Sequence, residues 1–273
     1  PSFLNDGRSY LFALSRSELA PLLNGDVPGP LSPQQLNLVD ASVTAQIPGF
    51  FGYQAVEVIG EQVYLLAQGS LNNSPRSYLV SGSLSAELTS LTLDPGKLVE
   101  LPAQPVNASR PYRSLLANAD TLVALPELAG LNTNSAPLAL RYDLGLSALG
   151  SLPLTGIEYP LSDVSHPDSN GRFWALNRWL PGEPGGLAGL DPLALLYGEG
   201  VTHQVFDQVE RLAAFQVTPG GVVLAASAPV QLELSARGPR DWQGLAEFGD
   251  QGFLLAGNQS GVILAFLGSI EEN

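Results

Sequence analysis

Trp242-Gln243-Gly244-Leu245, with a second apolar run beginning ten residues after Gln243 at Phe253-Leu254-Leu255, decides how this chain folds. A large apolar residue, a polar one, a variable one and an aliphatic one open a short run, and a second run follows across turn formers. Paired runs of this kind signal β-hairpins. The pattern recurs at Tyr53-Gln54-Ala55-Val56, Tyr112-Arg113-Ser114-Leu115 and Val209-Glu210-Arg211-Leu212, with a looser copy at Ile157-Glu158-Tyr159-Pro160-Leu161. The copies stand 59, 45, 52 and 33 residues apart. Units of this size, each opening on the same two strands, match the blades of a β-propeller, whereas a sandwich predicts no such return.

Working outward, Ala55–Ile59 pairs with Val63–Ala67, Ser114–Ala117 with Leu122–Leu125, and Leu212–Val217 with Val222–Ala226, each pair around a turn such as Gly60-Glu61. Helical periodicity is confined to Ser17–Asn24 and Asp191–Tyr197. A further repeat, Arg8-Ser9-Tyr10-Leu11 and Arg76-Ser77-Tyr78-Leu79, provides the N-terminus with blade-like strands. The reading is a single all-β propeller domain over residues 1–273, with five blades preferred and six as the alternative. A ring avoids exposed sheet edges when its ends meet. The N-terminal strands (Ser9–Leu14, Leu38–Val43) are therefore expected in one sheet with the C-terminal hairpin (Phe253–Asn258, Val262–Leu267).

Composition narrows the function. Twelve basic against 26 acidic residues give a net charge of −14, and Lys97 is the only lysine. A nucleic-acid groove needs clustered positive charge, which the eleven scattered arginines do not supply, so nucleic acid is excluded as a partner. No apolar run reaches the length of a membrane helix, so membrane insertion is not expected. Cysteine is absent, which removes disulfides, thiolate catalysis and cysteine-ligated metals. Methionine is absent too and the chain begins at Pro1. Removal of a signal peptide would explain the missing start, so a periplasmic or extracellular protein is expected.

The stretches Gly49–Val58, Glu61–Leu66, Arg172–Asn177, Val209–Phe215 and Arg240–Leu255 resemble the bacterial phytase-like (esterase-like) β-propeller family. The resemblance runs from about residue 47 to 267. It implies an exported propeller that hydrolyses phosphoesters or esters, with calcium as the expected ion. It also implies glutamate after the aromatic residue of each blade. Here Gln54 and Gln243 replace it, Arg113 stands in the related slot, and Glu158 and Glu210 keep the acid.

Because the first strand of a blade faces the central channel, Gln54, Arg113, Glu158, Glu210 and Gln243 are expected to converge there. Calcium takes six to eight oxygen ligands. Two amides and an arginine weaken such a site, so the ring reads as a hydrogen-bonded network with no metal favoured. Glu158 and Glu210 are the ligands if Ca2+ binds. Catalytic candidates are sparse: His166 with Asp163 and Asp168, and His203. No G-x-S-x-G elbow or phosphate-cradling glycine loop is present. Arg178 and Trp179 are candidates for a surface platform contacting a protein or glycan partner. The preferred function is a non-catalytic binding or assembly module. The alternative is a calcium-assisted phosphoester or ester hydrolase, and a glycan-directed enzyme rests on the aromatics alone.

Overall fold

A computed structural model describes residues 10–23, 31–105, 111–130, 133–183, 191–232, 240–258 and 263–270. The chain starts with β1 (Phe12–Ala13), α1 (Arg16–Leu23), β2 (Gln34–Gln35), β3 (Asn37–Val39) and α2 (Ala41–Thr44). The first large sheet holds β4 (Gly52–Ile59), β5 (Gln62–Leu71), β6 (Ser74–Leu84) and β7 (Ser90–Glu100). The second holds β8 (Tyr112–Asn118), β9 (Thr121–Pro126), β10 (Leu138–Asp143) and β11 (Ala148–Pro153). The third holds β12 (Leu161–Val164), β13 (Arg172–Trp179), β14 (Val209–Thr218) and β15 (Gly221–Leu224), with α3 (Pro192–Tyr197) and α4 (Val201–Phe206) inserted before β14. β16 (Val230–Gln231) pairs with β14, and the fourth sheet is β17 (Trp242–Glu247), β18 (Gly252–Gly257) and β19 (Ile263–Gly268).

These sheets are propeller blades. Each is an antiparallel meander whose first strand lies at its edge, and those edge strands touch in series: β4 with β8, β8 with β12, β12 with β17. Apolar side chains on both faces of each sheet then pack blade against blade. Tyr64, Leu66 and Leu79 meet Leu115, Leu122 and Tyr142 between the first and second blades. Leu116, Val123 and Leu125 meet Phe173, Ala213 and Phe215 between the second and third. Leu176 and Leu212 meet Trp242, Phe253 and Leu255 between the third and fourth.

The blade-opening motif has a backbone cause. In all four first strands the ladder register slips by one residue after the large apolar residue. Gln54, Arg113, Ser162 and Gln243 are the residues left unpaired, each forming a β-bulge. A bulge adds twist and re-aims its side chain, which suits the tightly wound inner strand of a blade.

Two expectations are corrected here. The opener of the third blade is Leu161-Ser162-Asp163-Val164, neither Ile157-Glu158 nor Val209-Glu210. Ile157 lies in the connection into β12, bridged to Ala129, and Val209 starts the third strand of its blade. Four blades therefore stand among the described residues where five were expected. Among the described residues the N- and C-terminal strands do not share a sheet either. There β1 pairs with β2, and β3 joins the first blade in parallel beside β7. The outer face of that blade (Val63, Leu65, Val80, Leu91) needed covering, and Leu38, Val43 and Ile47 supply the cover locally. α1 touches β19, with the Arg16 guanidinium 4.6 Å from the centre of the Phe248 ring. Arg8, Ser9 and Val262 lie outside the described residues.

The β17–β18 turn closes on Gly252, whose φ is +139° and whose added Cβ would collide with the Leu267 carbonyl. Gly252→Ala is expected to cost about 1–3 kcal/mol, read as a lowered urea midpoint with an unchanged slope.

Candidate functional site in the central channel

Among the described residues each first strand pairs on one side, so its other edge offers backbone donors and acceptors toward the axis. Side chains from neighbouring blades satisfy them. Asp163 on β12 accepts from the Leu245 N–H of β17 at 2.8 Å, and the Ser162 hydroxyl donates to the Trp242 carbonyl at 3.1 Å. Glu57 on β4 takes a hydrogen bond from the Ala117 backbone of β8. His166, just beyond β12, places Nδ1 3.4 Å from Glu57 Oε1. Glu247 of β17 is within reach of Ser165 and feels the same histidine. Three blades thus contribute Glu57, Asp163, His166 and Glu247, which act on one another's charge in pairs.

Toward the other mouth, Arg113 Nη2 donates to Gln243 Oε1 at 2.5 Å, and Arg113 Nη1 lies 3.3 Å from Glu127. Gln243 Nε2 donates to Asp241 at 2.6 Å, and Asp241 faces Arg178 at 3.2 Å. Arg178 also holds Glu183 at 2.7 Å. The guanidinium groups here are engaged by side chains of the same mouth.

Electrostatics separate these groups. Asp163 is surrounded by protein atoms yet keeps some accessible surface, and this desolvation pushes its carboxyl up to about 7. The Leu245 and Val164 amides and Arg113 oppose the shift, while the Glu57 charge adds to it. Burial raises Glu57 too, offset in part by His166. Glu210 is also pushed up to about 7 by burial. Its Oε1 accepts from the Arg240 N–H at 3.1 Å, and its Oε2 has no hydrogen-bond partner among the described residues.

These shifts carry a sign for stability. The folded chain holds protons on Asp163 and Glu210 that the unfolded chain releases above its ordinary carboxyl range of about 4. Their stabilisation is full below that range and is lost as pH rises through about 7. The thermal midpoint is expected to fall between pH 5 and pH 8, and Glu210→Gln to flatten that fall.

The expected site residues scatter accordingly. Gln54, Arg113 and Gln243 occupy bulges on first strands, whereas Glu210 is on β14 and Glu158 packs against Gly130 before β12. The five therefore do not form one ring, because two of the motif copies were not first strands. Asp163 and His166 lie at the channel. Asp168 instead ties a turn, accepting from Asn170 and Arg172 amides at 2.7 and 2.9 Å. His203 sits away on α4, with its ring 5.9 Å from that of Tyr159. Arg178 and Trp179 are both 7% exposed and bound inward to Glu183, so they form no surface platform. Glu57 and Glu247 were missed. Their signal is positional: each stands four or five residues beyond its blade's opening aromatic, near the end of an edge strand.

Among the described residues no three His, Asp or Glu side chains come together as a cation site. Glu158 and Glu210, the ligands expected if Ca2+ binds, lie on separate features of the fold.

No protein-family profile matches the chain, and no curated protein matches it in sequence. Similar solved structures include an exo-1,5-α-L-arabinanase from a bovine ruminal metagenomic library, 11% identical, with a TM-score of 0.49 over 97% of this chain and 90% of that one. A proposed glycoside hydrolase from Parabacteroides distasonis is 13% identical, TM-score 0.42, over 80% of this chain and 67% of that one. The α-L-arabinofuranosidase of Podospora anserina is 11% identical, TM-score 0.40, over 80% and 63%. Identities this low carry no residue roles across.

The reading of a non-catalytic module is corrected by the titratable groups of the channel. It rested on a channel neutralised by Gln54, Arg113 and Gln243. Beside these the channel carries Glu57, Asp163 and Glu247 with His166.

Proposed function

We propose that the chain is a hydrolase of glycosidic bonds, in which Asp163 donates a proton to the leaving oxygen and Glu57, held by His166, accepts one from water. The observation that carries this reading is that the Glu57 charge acts on the Asp163 carboxyl of a different blade, while His166 faces Glu57. Cleaving an acetal needs a proton donor and a carboxylate on opposite sides of the bond. The glycosidic C–O bond breaks as Asp163 gives its proton to the departing hydroxyl. Water oxygen joins the anomeric carbon and passes its proton to Glu57, and proton exchange with solvent restores both groups. An acid whose pKa sits near the working pH is suited to the donor's part.

The chemistry of the channel disfavours the ester alternatives. Carboxylates and a net charge of −14 repel a phosphoester, and Arg113 is already engaged. The Ser162 and Ser165 hydroxyls donate to backbone carbonyls. In this reading the N-terminal segment, touching β19 through α1 and β7 through α2, takes a fifth place in the ring. An exported location and a glycan partner belong to the same proposal. The phytase-like resemblance contributes only the idea of an exported hydrolytic propeller.

The test is release of reducing ends from arabinan, arabinoxylan, xylan and cellulose, alongside matching aryl glycosides. Release from at least one supports the reading. Silence across the panel between pH 4 and 8 overturns it.

A further inference from the structure

Beside β12, away from the channel carboxyls, a cleft of about 400 Å³ is lined by Tyr159, Asp191, Leu195, Glu199, His203 and Gln204. That volume lies in the range of about 300–1,000 Å³ typical of small-molecule sites. Its wall is held with unusual firmness. Tyr159 has φ +71°, a backbone state that bulky residues rarely adopt. Asn177 Nδ2 fixes this segment by reaching the carbonyls of Glu158, Tyr159 and Pro160 at 3.0, 2.9 and 3.3 Å. The Oδ1 of the same Asn177 accepts from Arg211 Nε at 2.8 Å, and Arg211 is gripped by Asp191 at 2.7 and 2.9 Å. The Arg211 guanidinium stands 5.6 Å from the Tyr159 ring centre, Trp179 flanks that ring at 6.0 Å, and His203 meets it edge-on.

Backbone strain kept by a buried ion pair and a dedicated amide marks a position that the surrounding structure over-determines. Here it presents one aromatic ring to a cleft. The rest of the lining combines an apolar side chain, Leu195, with two carboxylates, an amide and an imidazole. That mixture suits a neutral sugar, whose C–H face packs on an aromatic while its hydroxyls both donate and accept. Tyr159 precedes Asp163 by four residues, at most about 14 Å along the chain. A saccharide chain of a few units covers that distance.

We propose that this cleft is a saccharide subsite, binding a sugar unit of a neutral oligosaccharide remote from the bond being cut. It rests on the hydrolase reading for its role and on the cleft itself for its binding. Tyr159 and His203 are binding residues here, with no part in bond cleavage.

The test is calorimetric titration of the full chain with arabinohexaose, xylohexaose and cellohexaose. One hexaose is expected to bind with a submillimolar Kd. Tyr159→Ala and, independently, His203→Ala should each weaken it at least tenfold. His203 is the safer variant, because it lies on the short helix α4 rather than in the strained segment. On a cleavable hexaose the same variants should raise KM with kcat unchanged, and on an aryl monoglycoside change neither. Binding without turnover, still lost in both variants, upholds the cleft and defeats only the hydrolase. Turnover with KM unmoved in both variants, or no binding of any hexaose, overturns the cleft.

Discussion

Asp163→Asn is expected to lower glycoside turnover by about 100- to 10,000-fold, the usual worth of a positioned proton donor. Asparagine keeps an oxygen for the Leu245 N–H, so the bridge from β12 to β17 survives and the loss is chemical. The pH profile checks the same assignment. The donor acts only while protonated, so kcat/KM should decline as pH rises through about 7, toward tenfold per unit. An active Asp163→Asn protein, or a profile flat from pH 6 to 9, would remove Asp163 from the reaction. Glu57→Gln should also lose turnover. It removes the charge that His166 faces, at a site where burial already raises the acid.

The second large effect concerns stability. Asp191→Ala leaves the Arg211 guanidinium, 2% exposed, without its two-pronged partner. Breaking a buried pair from one side costs about 3–5 kcal/mol, since the remaining charge keeps its desolvation penalty. Loss of the Asp191 cap on the Leu193 N–H, at 3.1 Å, adds to this at the start of α3. Replacing both partners, as Asp191→Leu with Arg211→Met, should recover much of the loss, because no lone charge is left behind. Urea unfolding of the two single variants and the double measures the coupling. A single variant within about 1 kcal/mol of the parent would mean that water reaches Arg211.

Much of the fold was legible because it is local. The hairpins β4–β5, β8–β9 and β14–β15 follow from paired apolar runs and their turns, and the helix over Asp191–Tyr197 from a capping aspartate before proline. The bulge motif also announces itself, since a polar residue must follow the buried aromatic wherever the ladder slips. Two copies misled for a physical reason. A strand opening on Val209-Glu210 reads the same whether its neighbours place it first or third in a sheet, and that depends on pairing with β13 across the α3–α4 insertion. Leu161-Ser162-Asp163 carries the pattern without an aromatic, so it was passed over for Ile157-Glu158 just before it.

The site was harder to read for a related reason. Glu57 and Glu247 are ordinary strand residues in sequence. Their carboxyls are raised by partial burial among edge strands far apart along the chain. His166 meets Glu57 from a turn more than a hundred residues away. Alternation, turn chemistry and the blade-opening motif are short-range, and so the chain announces its strands and its propeller class directly. The number of blades, the covering of the first blade by its own N-terminal segment, and the pairing of channel carboxyls depend on desolvation and contact between distant segments. Those arise from packing, which no stretch of a few residues encodes.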